Sequence, residues 1–175
     1  MPTNTPEFAK ETGTDGSFQR QTSAFRNWVT ADGSSEFPAE AGRYHLYACA
    51  ACPWAHRAII IRELKGLHDA IGLTLVDPLR DERGWRFGDG SPKTGDVDPL
   101  HGWTYLAEAY IASDPGFDAR VTVPVIWDTK TGRIVNNESS EVIRMLNSAF
   151  DAFAANPDVD FYPGELRAEI DAVNA

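Results

Sequence analysis

Apolar residues are sparse and irregular up to about position 43 and then fall into runs with a clear period. Arg43 to Ala48 is dense in aromatic and aliphatic residues and reads as a strand; Leu73-Thr74-Leu75-Val76, closed by Asp77-Pro78, reads as a second. Between them, Pro53 at a first helical position and Gly66 just past Lys65 bracket a helix whose apolar face would be Ala58, Ile60, Ile61 and Leu64. Strand, helix and strand within about 35 residues predict a right-handed parallel unit. Trp103, Leu106, Ala107, Tyr110 and Ile111 recur at helical spacing, and Asp114-Pro115-Gly116 stops that helix. Val121 to Trp127 reads as a strand, Asp128 to Gly132 as a hairpin turn and Arg133 to Asn136 as the partner strand. Pro124 removes a ladder hydrogen bond there, so it calls for an edge, a bulge or a bend, and a cis peptide is one way to make one. Ser139 to Phe150 completes the set as a helix started by Ser139-Ser140, with Val142, Ile143, Leu146 and Phe150 on one face. The expected order is β-α-β-α-β-β-α, an α/β domain.

Three stretches fall outside this pattern. Residues 1–43 read as an irregular arm pinned by Phe18, Phe25, Trp28 and Phe37, or alternatively as a partly disordered tail. Residues 79–99, with Gly84, Gly88, Gly90, Pro92, Gly95 and Pro99, read as a long loop in which Trp85 and Phe87 are exposed, a combination more often functional than filler. After Asp151 the chain passes through polar residues and reaches Phe161 to Val173, which looks like the opening of another helix.

Composition narrows the class. The chain has 175 residues, 42% apolar and 24% charged, enough for one domain to bury a core without disulfide staples. No apolar run is long enough to span a bilayer, and the first residues lack the basic and apolar regions of a secretory leader, so the expected location is cytoplasmic. A net charge of −10 and a pI near 4.7 disfavour nucleic acid and anionic membrane as partners. Two cysteines do not make a disulfide framework.

Those two cysteines carry the chemistry, in Cys49-Ala50-Ala51-Cys52-Pro53-Trp54-Ala55-His56-Arg57. Pro53 at the first helical position makes Cys52 the residue that caps the helix, near unpaired N–H groups and the positive end of the dipole, which favours a thiolate. Cys49 lies before the helix and gains little from it. The spacing also permits a dithiol oxidoreductase using Cys49 and Cys52, although in such pairs the first cysteine is the capping one. A zinc site from His45, Cys49, Cys52 and His56 has suitable ligand types, but these histidines more often serve packing or hydrogen bonding, and no metal is expected.

The topology, the capping cysteine and the X-Pro bend resemble the thioredoxin-like domain of glutathione transferases. Cys52-Pro53-Trp54-Ala55-His56-Arg57, Gly84-Trp85, Val121-Thr122-Val123-Pro124-Val125, Asn137-Glu138-Ser139 and the arm segment Phe25-Arg26-Asn27-Trp28 resemble, more closely, the glutathionyl-hydroquinone reductases, the Xi class. The similarity runs from about Gly16 to the end of the chain. It implies that Cys52 is the nucleophile, attacking the sulfur of a glutathionyl-hydroquinone and passing through a mixed disulfide with glutathione. It implies that the backbone of Val123, before a cis-Pro124, pairs with the cysteinyl part of glutathione, that Glu138 and Ser139 hold the γ-glutamyl end, and that Trp85 contacts the bound thiol. Arg120 is a weaker candidate, expected to be a solvated surface charge. The co-substrate would be glutathione or another low-molecular-weight thiol, and the full-length protein a homodimer. The implied organisation is an arm at 1–43, a thioredoxin-like domain at 44–155, and at 156–175 a linker and the start of an all-helical domain. A thiol-binding module without catalysis is the remaining alternative.

Overall fold

The computed structural model describes residues 13–17, 19, 21–91 and 93–174; Phe18 and Pro92, named above, lie outside them. Two short strands, β1 (Val29–Thr30) and β2 (Phe37–Pro38), pair in parallel ahead of the main sheet. Then follow β3 (Tyr44–Ala48), α1 (Pro53–Lys65), β4 (Ile71–Leu75), α2 (Ala107–Ser113), β5 (Val125–Asp128), β6 (Arg133–Asn136) and α3 (Ser139–Ser148). Two single 3₁₀ turns, at Asp151–Phe153 and Gly164–Leu166, lead to α4 (Arg167–Asn174). The four-stranded sheet has the order β4-β3-β5-β6. β3 is parallel to β4 from Tyr44↔Ile71 to Ala48↔Leu75 and antiparallel to β5 from Tyr44↔Asp128 to Tyr47↔Val125, while β5 and β6 form the hairpin.

Every residue of β3 is buried, as expected of a central strand covered on both faces. Its start is tied to the end of β5 by a buried bidentate pair, Arg43 Nε and Nη2 donating to Asp128 Oδ1 and Oδ2 at 2.8 and 2.6 Å. α1 packs against α3, and α2 packs on β6.

The buried face of α1 differs from the expected one. Ala55, Ala58, Ile61, Arg62 and Lys65 are buried, whereas Ile60 and Leu64 are 44% and 49% exposed. The two cations displace the aliphatics because their charges find fixed acceptors. Arg62 Nε donates to the Ile71 carbonyl at 2.8 Å. Lys65 Nζ pairs with Asp151 at 2.6 Å and donates to the carbonyls of Pro157 and Val159. Gly66 ends the helix at φ 65°, the left-handed conformation that glycine adopts without strain.

α2 starts at Ala107 rather than Trp103 because the preceding residues pair with the long loop. Phe87 N donates to Thr104 O and Leu106 N to Trp85 O, which engages residues 104–106 in an antiparallel bridge centred on Tyr105. The same pairing buries Trp85 and Phe87, which were expected to be exposed. β5 begins only at Val125, so Val121 to Pro124 lie outside the ladder, and the Val123–Pro124 peptide is cis.

The described part of the arm is an ordered edge cover. Asn27 N donates to Val135 O and Asn137 N to Phe25 O, at 3.0 and 3.1 Å, so residues 25–27 run antiparallel along the outer edge of β6. Phe25 packs on Tyr110 and Phe117, and Phe37 is buried, while Trp28 is exposed.

Candidate active site

β3 runs out at Ala48, and the chain turns through Cys49 to Cys52, closed by a 3.2 Å bond from Cys52 N to Cys49 O. Cys52 is extended (φ −89°, ψ 115°) and caps α1, and its carbonyl accepts the first helical bond from His56 N at 2.8 Å. Proline follows it, as the sequence required; the Cys52 sulfur itself makes no capping hydrogen bond. It is half-buried on a cleft of about 370 Å³.

Five separate parts of the chain wall that cleft. Cys52 and Trp54 come from the start of α1, Arg80 and Trp85 from the long loop, Ala119 to Val123 from the segment before β5, and Asn137 and Ser139 from the entry to α3. Gln21, Thr22, Ser23 and Ala24 of the arm complete it. Of the expected site residues, Cys52, Trp85, Val123 and Ser139 are therefore brought together. Pro124 is buried beside Val123 and is not on the cleft wall. Glu138 also stands behind the wall. It, rather than Ser139 or Ser140, caps α3, accepting from Ser140 N at 3.3 Å and Ser140 Oγ at 3.1 Å, and its other oxygen accepts from Ser23 Oγ at 2.9 Å. Ser139 is thereby the first residue of the helix, where an anion is favoured by the open N–H groups.

Arg120 was expected at the solvated surface and is instead half-buried on the cleft wall, its backbone amide donating to Gln21 Oε1 at 3.1 Å. With Arg80, whose guanidinium lies 5.0 Å over the Trp85 ring, it places two arginines on the cleft wall of an acidic chain. Arg57, on α1, lies 5.3 Å over Trp54 and donates from Nη2 to Ser139 Oγ at 2.7 Å. Sequence reasoning missed the arm's contribution. Phe25-Arg26-Asn27-Trp28 marked the arm, but the residues that reach the cleft are the ones before it, where nothing in residue type singles them out.

Cys49 is fully buried, both cysteines are free, and burial pushes the Cys49 thiol up from its ordinary pKa. His45 turns to Thr74 Oγ1, 2.7 Å from its Nε2, and packs on Tyr47, while His56 is exposed. Among the described residues no group of three or more His, Cys, Asp or Glu side chains is arranged to hold a metal ion. What the arrangement can do chemically is present one accessible thiol, at the positive end of a helix, to a small molecule held by aromatic rings, cations and an extended backbone segment.

The family model for the glutathione S-transferase N-terminal domain matches residues 51–149. Glutathionyl-hydroquinone reductase YqjG of Escherichia coli (strain K12) is 51% identical over 168 residues, covering 92% of this chain and 50% of that protein. Its glutathione-bound structure superposes with a TM-score of 0.79 at 48% identity, over 86% of this chain and 50% of that one. Glutathionyl-hydroquinone reductase PcpF of Sphingobium chlorophenolicum is 48% identical over 160 residues, 91% of this chain and 49% of that protein. The glutathione-S-transferase Xi of Phanerochaete chrysosporium gives a TM-score of 0.83 at 48% identity, over 90% of this chain and 53% of that one. The chain spans about half the length of the curated relatives it matches. With a thioredoxin-like sheet, a cysteine capping the first helix and this level of identity, the chain belongs to the glutathione S-transferase family, in its Xi class.

Proposed function

We propose that the protein reduces glutathionyl-hydroquinones with glutathione as co-substrate, using Cys52 as nucleophile. The observation that carries this reading is that Cys52 caps α1 on the wall of a cleft also lined by Trp85, Val123 and Ser139. In the first step the Cys52 thiolate attacks the sulfur of the conjugate. The new S–S bond joins Cys52 to glutathione, the aryl C–S bond breaks, and the ring carbon keeps the bonding pair and takes a proton, releasing the hydroquinone. A second glutathione thiolate then attacks the mixed disulfide, freeing Cys52 and leaving oxidised glutathione, so the ring gains the two electrons that two thiols give up. Val123, outside the β5 ladder, would pair its backbone with the cysteinyl part of glutathione as an added strand does. Pro124 would hold that backbone in place. Trp85 would pack on the thiol, Ser139 and the start of α3 would receive the γ-glutamyl carboxylate, and Glu138 would supply the negative charge near the ammonium. The two named reductases among the relatives, and the glutathione bound in one of their structures, support the substrate class.

The proposal includes the organisation implied by the sequence: an arm to residue 43, the thioredoxin-like domain to 155, and the opening of a helical domain at 156–175, in a full-length cytoplasmic homodimer. It needs no metal. The dithiol alternative is disfavoured by the burial of Cys49. Cys52→Ser and Cys52→Ala in the full-length protein should lower thiol-dependent release of hydroquinone from its glutathione conjugate by more than about a hundredfold. Turnover that survives both changes would remove Cys52 from the mechanism.

A further inference from the structure

We infer that Cys49 is an internal partner for Cys52: when glutathione runs short it attacks the mixed disulfide on Cys52, and the resulting Cys49–Cys52 disulfide holds the nucleophile inactive until glutathione returns. The inference rests on the proposed role of Cys52 and goes beyond it, because turnover by that route leaves Cys49 with no part.

The backbone brings the two residues together. Cys49, Ala50, Ala51 and Cys52 form a four-residue turn closed by the 3.2 Å bond from Cys52 N to Cys49 O. Such a turn holds its first and last Cα atoms within about 7 Å, and a disulfide spans Cα separations of about 4.4–6.8 Å, so the pair can be bridged with little movement of the chain. Both alanines are exposed, while Cys49 is buried and Cys52 half-buried, so the turn points its alanines outward and its cysteines inward. The Cys49 sulfur lies over this turn as well. Burial raises its pKa first of all, the backbone amides of Ala51 and Cys52 oppose that rise as hydrogen-bond donors, and the Cys52 thiol adds to it. Donation from the Cys52 amide puts the Cys49 sulfur next to the residue whose sulfur it would join.

Burial decides what Cys49 can react with. It has no exposed surface, so a free disulfide in solution does not reach it. A disulfide made on Cys52 is delivered to it by the turn, as an intramolecular partner at high effective concentration. Oxidised glutathione, the second product of the proposed cycle, supplies the oxidant. The Cys52 thiolate attacks it and forms the mixed disulfide, releasing one glutathione thiolate. Cys49, losing its proton, then attacks the Cys52 sulfur; the bond to glutathione breaks, and the second glutathione leaves as a thiolate that takes the proton. Two protein thiols are oxidised and one disulfide is reduced to two glutathiones. Because the Cys49 pKa is raised, little of it is thiolate, and this step is slow beside attack by abundant glutathione. The supply of glutathione therefore decides between turnover and closure.

The test uses the tryptic peptide 44–57, which carries both cysteines of the chain. Wild type and Cys49→Ala are incubated with excess oxidised glutathione, free thiols are blocked with N-ethylmaleimide in denaturant, and the peptide is weighed by mass spectrometry. The wild-type peptide should be lighter than the reduced one by two hydrogens, with no glutathionyl or maleimide group, and should regain both thiols in excess glutathione. The Cys49→Ala peptide should carry one glutathionyl group, at Cys52. A wild-type peptide that ends with the glutathionyl group, or with both thiols blocked by maleimide while the variant carries the adduct, would overturn the inference and leave Cys52 as nucleophile. A variant that takes up no glutathione would overturn the role of Cys52 and the inference together. Cys49→Ser replaces Cys49→Ala if the latter does not fold, and the wild-type reading stands without either variant.

Discussion

Cys49 and Cys52 share one short motif but occupy different surroundings. Cys49 is fully buried at the end of β3 with its pKa raised, first of all by burial, whereas Cys52 opens on the cleft. Only the thiolate reacts with alkylating agents, so both effects act against Cys49. Iodoacetamide should therefore label the native protein once, at Cys52, and label Cys49 only after denaturation; peptide mass mapping reads the result, and comparable native labelling at both would contradict it. His45 provides a pH effect at the same scale. Burial lowers its pKa from 6.5 to about 4, reinforced by Arg62 and His101 and opposed by Asp98. The folded state thus refuses a proton that the unfolded chain accepts between those values, so stability rises with pH across that window and is lost as pH falls. The wild type should lose about 2–3 kcal/mol between about pH 7 and 4.5 beyond what His45→Gln loses, measured by urea denaturation of both.

The elements show where the sequence pattern suffices and where it does not. Pro53 and Gly66 bracket α1 because each has a backbone requirement that belongs to the residue itself, and the helix runs from Pro53 to Lys65 as predicted. Its face was misread for a physical reason. Periodicity counts Ile60 and Leu64 as core and Arg62 and Lys65 as surface, but burial of a cation is decided by acceptors elsewhere in the chain, here the carbonyls of Ile71, Pro157 and Val159 and the Asp151 carboxylate. The same limit moved the start of α2, since a loop remote in sequence supplied its neighbours with strand-like partners. At the C-terminus of α1 the local and tertiary demands coincide. Gly66 is left-handed, and a Cβ there would lie 2.6 Å from Ala155 Cβ. Gly66→Ala should cost about 2 kcal/mol, from the strained backbone and the contact together, visible as a lowered thermal midpoint. A midpoint unchanged from the wild type would mean the 155 segment yields freely.

For the molecule as a whole, the candidate site was legible where a residue's role follows from its own chemistry and its immediate neighbours. Cys52 before Pro53 is of this kind, whereas the expectation for Val123 came from the family resemblance. Arg80, Arg120 and Ser23 were not, because they reach the cleft wall by convergence of chain segments far apart in sequence, and Arg57 meets that wall only through its bond to Ser139. The arm is the clearest case. It lies on the edge of β6 through Asn27 and Phe25 and, a few residues earlier, forms one wall of the cleft. A single segment therefore reports on both places. By thermodynamic reciprocity, the factor by which a thiol seated in the cleft slows amide exchange at Asn27 and Asn137 equals the factor by which fixing that edge tightens the thiol's affinity. Hydrogen exchange with and without saturating glutathione should show added protection at these amides, and identical exchange in the two samples would mean that the edge and the cleft are energetically separate.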